Sequence, residues 1–353
     1  MSLRLPLPAL LYLTLGLVLG ATALAASPAS VPSSMNPAHA APSTHATLRA
    51  VLFSDFNGPY GSTVYPSPVR ANVERILNVW KPDVVLSAGD LIAGQKAGQS
   101  AAQLGTMWAA FERDVRGPLA KAGVPFVFTL GNHDASAAPG FEADRTAASR
   151  YWQTRKPAVQ LLDTAHYPFW YSSLLKVCPK SGTAGCKSVF IATVDATTDT
   201  LRDEAWLNEQ LSAPAARGAS LRIVLGHLPL YGLSVGRSKA GEVLRGGDRL
   251  RALLEDNRVN VYVNGHHAAY YLGRRPGSPL ALLASGGIGA RDYVGHPGSA
   301  RSVVSVLDFD LTAGTLNVTP YDADTGRTIP ASSLPARIDG YGGSIERVDT
   351  VRF

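Results

Sequence analysis

Short, nearly unbroken apolar runs alternate along this chain with longer stretches whose apolar positions recur every three or four residues. The runs at 48–54 (Leu-Arg-Ala-Val-Leu-Phe-Ser), 84–87, 124–130, 189–194, 221–225 and 259–263 read as buried strands. Val69, Val73, Ile76, Leu77 and Trp80 fall on one helical face over 69–80, and Pro82 stops that helix. Further helices are predicted over 107–122, interrupted at Gly117-Pro118, and over 141–154, 203–211 and 248–255. Residues 169–176 are predicted to pair with 189–194. Runs at 280–284, 302–308 and 314–320 predict strands of a second sheet, and 310–314 carries turn chemistry between the last two. Strands alternating with helices, followed by hairpins, predict an α/β domain with added antiparallel strands.

The two ends of the chain differ in character. Arg4 precedes the apolar stretch 5–24, and Ala23-Leu24-Ala25 offers the small-x-small pattern of a signal peptidase site. Residues 1–25 are therefore expected to be a signal peptide and the protein exported, periplasmic or extracellular. An uncleaved anchor is the other reading, since about 20 apolar residues can span a bilayer. Residues 26–47, rich in Ala, Pro and Ser, are expected to be a disordered linker, with His39 and His45 as solvated tail residues. Residues 48–353 are expected to form a single domain, with no membrane association after cleavage.

Composition adds two constraints. The 353-residue chain has only two cysteines, Cys178 and Cys186, on either side of a Gly-containing turn. In an exported chain that pair reads as a hairpin disulfide, because a metal pair lacks nearby Cys or His partners. The formal net charge of +6 favours anionic substrates slightly, but the arginines are scattered and no nucleic-acid groove is evident.

The candidate chemistry sits at the ends of the apolar runs. Gly131-Asn132-His133-Asp134 follows one of them. Ser54-Asp55-Phe56-Asn57, Gly89-Asp90, Gly226-His227 and Gly265-His266-His267 follow others. In open α/β sheets, ligands gather beyond the carboxyl ends of the strands. Five such strand ends in this order resemble the calcineurin-like metallophosphoesterase family. The resemblance implies a four-layer α/β/β/α sandwich of two mixed sheets and metal-assisted hydrolysis of a phosphate ester, monoester or diester. It implies Asp90, Asn132, His227 and His266 as ligands of one divalent ion, with manganese, iron or zinc all suited to two oxygen and two imidazole donors. It also implies that His133 points at the phosphate and either stabilises the transition state or protonates the leaving oxygen, and that Asp134 orients the His133 ring and favours its charged form.

A second metal position departs from the family pattern. Asn57 stands where Asp-x-His is usual, and Ala268 where Gly-His-x-His is usual, leaving Asp55, Asp90 and the Asn57 amide as its donors. His267 is a poor substitute, because neighbouring side chains on extended backbone face opposite ways. One or two ions therefore remain open. So does the choice between a hydrolase and a catalytically impaired binding or scaffold protein that retains one metal site. Arg291, beyond the 286–289 glycine turn, is the candidate phosphate-contacting cation.

Overall fold

The strands in the middle of each sheet carry two faces that enter different cores, which is why their runs read as continuous rather than alternating. On β1 (Thr47–Leu52), Leu48, Ala50 and Leu52 point between two sheets, whereas Val51 joins the opposite cluster under the helices. On the strand Leu221–Leu225, Leu221, Ile223 and Leu225 face inward and Val224 outward. Burial on both faces favours such runs.

The computed structural model describes residues 43–182 and 184–353. The signal-peptide segment, His39 and most of the linker lie outside the described residues. Of the linker's last residues, Ala46 is buried and Thr47 opens β1. The strands, in chain order, are β1, β2 (Val84–Ser87), β3 (Phe126–Phe128), β4 (Gln160–His166), β5 (Trp170–Val177), β6 (Lys187–Thr193), β7 (Leu221–Leu225) and β8 (Val261–Asn264). They continue with β9 (Tyr270–Arg274), β10 (Ala281–Ser285), β11 (Val303–Asp310), β12 (Thr315–Asp322), β13 (Arg337–Gly340), β14 (Gly343–Arg347) and β15 (Thr350–Arg352). One sheet runs β15-β12-β11-β1-β2-β3 and the other β13-β14-β9-β10-β8-β7-β6-β5-β4. Both are mixed: β1, β2 and β3 are parallel, as are β6, β7, β8 and β10, and the remaining pairs are antiparallel.

Helices α1 (Ser67–Arg75), α2 (Ala101–Phe111), α3 (Gly117–Lys121) and α5 (Glu142–Trp152) accompany the first sheet, after the single turn α4 (Asn132–Ala135) is set aside. Their apolar faces pack on it through Val69, Val73, Leu104, Trp108, Phe111, Leu119 and Trp152. Helices α6 (Glu204–Ser212), α7 (Pro214–Arg217) and α8 (Gly247–Asp256) cover the second through Leu207, Leu211, Ala216, Leu250 and Leu254. The result is the four-layer sandwich, helix on sheet on sheet on helix.

Two expectations change. The late runs do not make a sheet of their own: β10 joins the nine-stranded sheet beside β8, whereas β11 and β12 extend the six-stranded sheet from β1. Nor does Gly117-Pro118 break its helix. A wider turn over Glu112–Arg116, in which Gly117 N–H bonds Glu112 O, precedes α3 and places Pro118 in a first turn. There the missing N–H has no partner to lose. Cys178 and Cys186 are disulfide-bonded across the β5–β6 connection.

Candidate metal centre

The ends of β1, β2 and β3 lie side by side in one sheet, and those of β7 and β8 in the other. Hydrogen bonds continue past the strands and stitch the following loops together. Asp55 N–H bonds Gly89 O (2.9 Å), Gly226 N–H bonds Val263 O (3.0 Å) and Gly265 N–H bonds His227 O (3.0 Å). Bonds between sheets fix their relative position: Thr129 Oγ1–H donates to Val194 O at 2.8 Å, and the His227 ring contacts Ala88 O at 2.7 Å. Two glycines permit the close approach of β2 and β3. A Cβ at Gly89 would fall 2.4 Å from Gly131 N, and one at Gly131 would fall 2.1 Å from Asp90 Oδ1. Asp55, Asp90 and His266 turn into the loops with φ of 51°, 55° and 68°, a left-handed conformation that non-glycine residues adopt sparingly and mostly where surroundings enforce it.

This backbone brings Asp90, Asn132, His227 and His266 to one point. Ligand atoms of Asp90, His227 and His266 lie within 4.8 Å of one another. Asn132 Oδ1 stands 2.8 Å from His227 Nε2 and 2.9 Å from His266 Nδ1. The Asn132 Nδ2 donates to Gln95 Oε1 at 2.5 Å, which directs the amide oxygen toward the imidazoles. His227, fully buried, gives its Nδ1–H to the Ala88 carbonyl, so the neutral ring presents its Nε2 lone pair, and the charged ring an Nε2–H, toward the Asn132 oxygen. Acceptors aimed at acceptors in a buried space call for a cation or a proton between them. The donor set therefore fits a divalent ion.

The electrostatics agree. Burial pulls the His227 imidazole down, but Asp90, 3.3 Å away, and Asp55 outweigh it and raise the ring to about 9. Burial pushes Asp90 up, yet His227, His133 and His266 around it hold the carboxyl well below the usual range. Positive charge is favoured at this point. Burial pulls His266 down to about 4, so near neutral pH its ring is uncharged, as a ligand must be.

The second donor set is not assembled. Asp55 is buried and its oxygens are taken by the protein: Oδ1 by His266 N–H at 2.5 Å, Oδ2 by the hydroxyls of Ser54 at 2.7 Å and Ser285 at 2.9 Å. Burial raises its carboxyl above the ordinary value, with His227 offsetting part of this. The Asn57 side chain bonds the adjacent Gly58 carbonyl at 3.5 Å. His267 is turned away into the 233–242 loop: Nδ1 accepts from Leu233 N–H at 3.1 Å and Nε2–H donates to Glu242 O at 3.0 Å. These residues do not fit a second ion.

His133 stands beside the first set, its Nε2 4.0 Å from Asp90 Oδ2 and its Nδ1 3.2 Å from Gly94 O, with the exposed Tyr60 ring tilted by 30° against it at 5.0 Å. Asp134 does not orient it. The Asp134 carboxylate accepts from Leu91 and Ile92 N–H (2.7 and 2.9 Å) and from Gly131 N–H (2.7 Å), bracing the Asp90 loop against α4. Successive residues of a helical turn point about 100° apart, so Asn132, His133 and Asp134 cannot share one target. Arg291 is exposed and lies near Gly236, and Arg237 and Glu242 act on its charge.

A cleft of about 430 Å³ opens over Asn132 and His266, lined also by Tyr60, Gln95, Arg237 and Glu242. Gln95, Arg237 and Glu242 lie in no strand-end motif, and Ser285, at the end of β10, carries no metal-ligand type that would mark it. The one signal available was the Gly236–Gly241 spacing around Arg237.

A family profile described as calcineurin-like phosphoesterase matches residues 49–270. Among solved structures, the chain is similar to GAP50, "the anchor in the inner membrane complex of Plasmodium", with TM-score 0.55 and 15% identity over 81% of this chain and 87% of that one. It is also similar to purple acid phosphatase PPD1 from yellow lupin (Lupinus luteus) seeds, with TM-score 0.53 and 16% identity over 82% of this chain and 53% of that one. At these identities the likeness concerns the fold alone. Comparison with curated protein sequences gives no match.

Proposed function

The chain belongs to the calcineurin-like phosphoesterase family, and we propose that it is an exported hydrolase of phosphate esters that works with a single divalent ion. The observation that carries this reading is the convergence of Asp90, Asn132, His227 and His266 beneath an open cleft. Manganese, iron and zinc all suit the donor set. When bound, the ion supplies a Lewis acid for the phosphoryl oxygens and lowers the pKa of a coordinated water.

The protein groups supply the rest. The Gly94 carbonyl holds Nδ1–H of His133, leaving Nε2 to carry the proton that the departing oxygen needs. Arg237, in the cleft wall, and Arg291, behind Gly236, offer positive charge to an anionic substrate. Asp55 acts as an internal acceptor that holds the His266 loop, which is why one ion rather than two belongs here. The Cys178–Cys186 bond supports an oxidising compartment and therefore export. Among the described residues, no helix is long and apolar enough to cross a membrane.

A second reading, a binding or scaffold protein on the same fold, draws on the missing second donor set and on the likeness to GAP50, an anchor in its own setting. The decisive experiment pairs metal content of the purified protein with hydrolysis of a chromogenic phosphomonoester and diester, manganese added. One bound ion and turnover of either ester support the hydrolase. One bound ion without turnover of either supports the scaffold.

A further inference from the structure

We propose that Glu242 is a positioning residue of the metal centre, fixing the ring of His266, and that His267 is the strut that presents it. The inference rests on the one-ion reading above and names how this chain holds one of its ligands.

His266 uses both ring nitrogens. Nδ1 faces Asn132 Oδ1 at 2.9 Å inside the centre, and Nε2 lies 2.8 Å from Glu242 Oε2 outside it. An ionised carboxylate only accepts, so on this assignment the hydrogen is placed on Nε2, with the Nδ1 lone pair directed inward and Arg237, 2.8 Å from Nε2, donating to Glu242 rather than to the ring. A carboxylate or carbonyl behind a ligating imidazole sets its tautomer and raises its basicity. For His227 the Ala88 carbonyl does this; for His266 it is Glu242.

Glu242 belongs to no helix or strand, so its position must come from elsewhere. Two contacts provide it. Arg237 Nη1 donates to the same Oε2 at 3.0 Å. The guanidinium also approaches His266 Nε2 at 2.8 Å, and both donors converge on the one carboxylate oxygen. The fully buried His267 bonds the main chain at both ends of the loop, accepting from Leu233 N–H and donating to the Glu242 carbonyl. The left-handed turn at His266 sends the adjacent rings to different tasks. One reaches the centre and the next grips the segment that carries its partner. The Gly-His-His sequence thereby acquires a use that a Gly-His-x-His pattern does not predict.

The test is metal affinity, measured by titrating zinc or manganese into the full protein against a chromogenic chelator, together with histidine ring ¹⁵N shifts of the metal-free protein. Glu242→Ala should weaken binding by roughly 10- to 100-fold with stoichiometry unchanged. Glu242→Gln should lose less, since its amide oxygen still accepts, and His267→Ala should fall between wild type and Glu242→Ala. The metal-free wild type should show His266 as the Nε2–H tautomer, and Glu242→Gln, which preserves side-chain volume, should weaken that preference. Affinity of Glu242→Ala within twofold of wild type, or an Nδ1–H tautomer in the wild type, overturns the assignment. A wild type that binds no ion overturns the one-ion reading with it; tight binding by wild type and Glu242→Ala alike removes Glu242 only.

Discussion

The Asp55 carboxylate accepts the main-chain N–H of His266 at 2.5 Å, joining the end of β1 to the loop after β8. A residue that the motif pattern marks as a ligand is here a brace between the two sheets. Asp55→Ala strips the His266 N–H and the Ser54 and Ser285 hydroxyls of their acceptor. It should cost about 2–4 kcal/mol in chemical denaturation. Wild type should hold one equivalent of metal by elemental analysis. Ala268→His should not add a second, because Asp55 stays engaged. Two equivalents in wild type would return Asp55 to the ligand set.

In the proposed mechanism His133 contributes a proton and no ligand atom. Turnover of a chromogenic phosphate ester by His133→Ala should fall about 10²- to 10⁴-fold while metal content stays that of wild type. Undiminished turnover would remove the assigned acid.

The His227 ring is raised from 6.5 to about 9 in the folded, metal-free protein. The stability its charged form supplies is complete below pH 6.5 and is lost as pH rises through 9. Urea unfolding with chelator present should therefore show a decline on the order of 3 kcal/mol across that interval. A ligating imidazole must be neutral, so metal uptake releases this proton and apparent affinity should climb over the same window. A flat stability profile would mean the ring is neutral throughout.

The Cys178–Cys186 bond closes a short loop at the β5–β6 connection, whereas the donors lie beyond β7, β8 and the parallel strands of the other sheet. Replacing both cysteines with serine should lower stability by about 2–3 kcal/mol. Thermal unfolding measures this, and ester turnover at 25 °C should be unaffected.

The strands buried on both faces were legible because a run such as Val-Val-Leu at 84–86 leaves little else for the chain to do, and the ligand motifs follow where those strands stop. The peripheral strands β4 and β13 to β15 were not. β4, with polar Gln160, Asp163, Thr164 and His166, and the short β13 to β15 draw their stability from neighbours and carry little apolar signal of their own. Asn132, His227 and His266 stand out in local sequence, yet adjacency along the chain suggests a contact between Asp134 and His133 that the helical turn forbids. The roles of Arg237 and Glu242 were not legible, the flanking glycines aside: a loop's destination depends on distant anchors such as His267, which periodicity does not encode.

Two of the four converging donors come from the β1–β3 sheet and two from the β7–β8 sheet, more than ninety positions apart along the chain at their nearest (Asn132 and His227). Neither half owns enough groups to retain a cation alone. On the one-ion reading, loading is consequently expected late in the molecule's life, in chains whose halves have already closed upon each other, and the proposed ion would then rivet that seam shut.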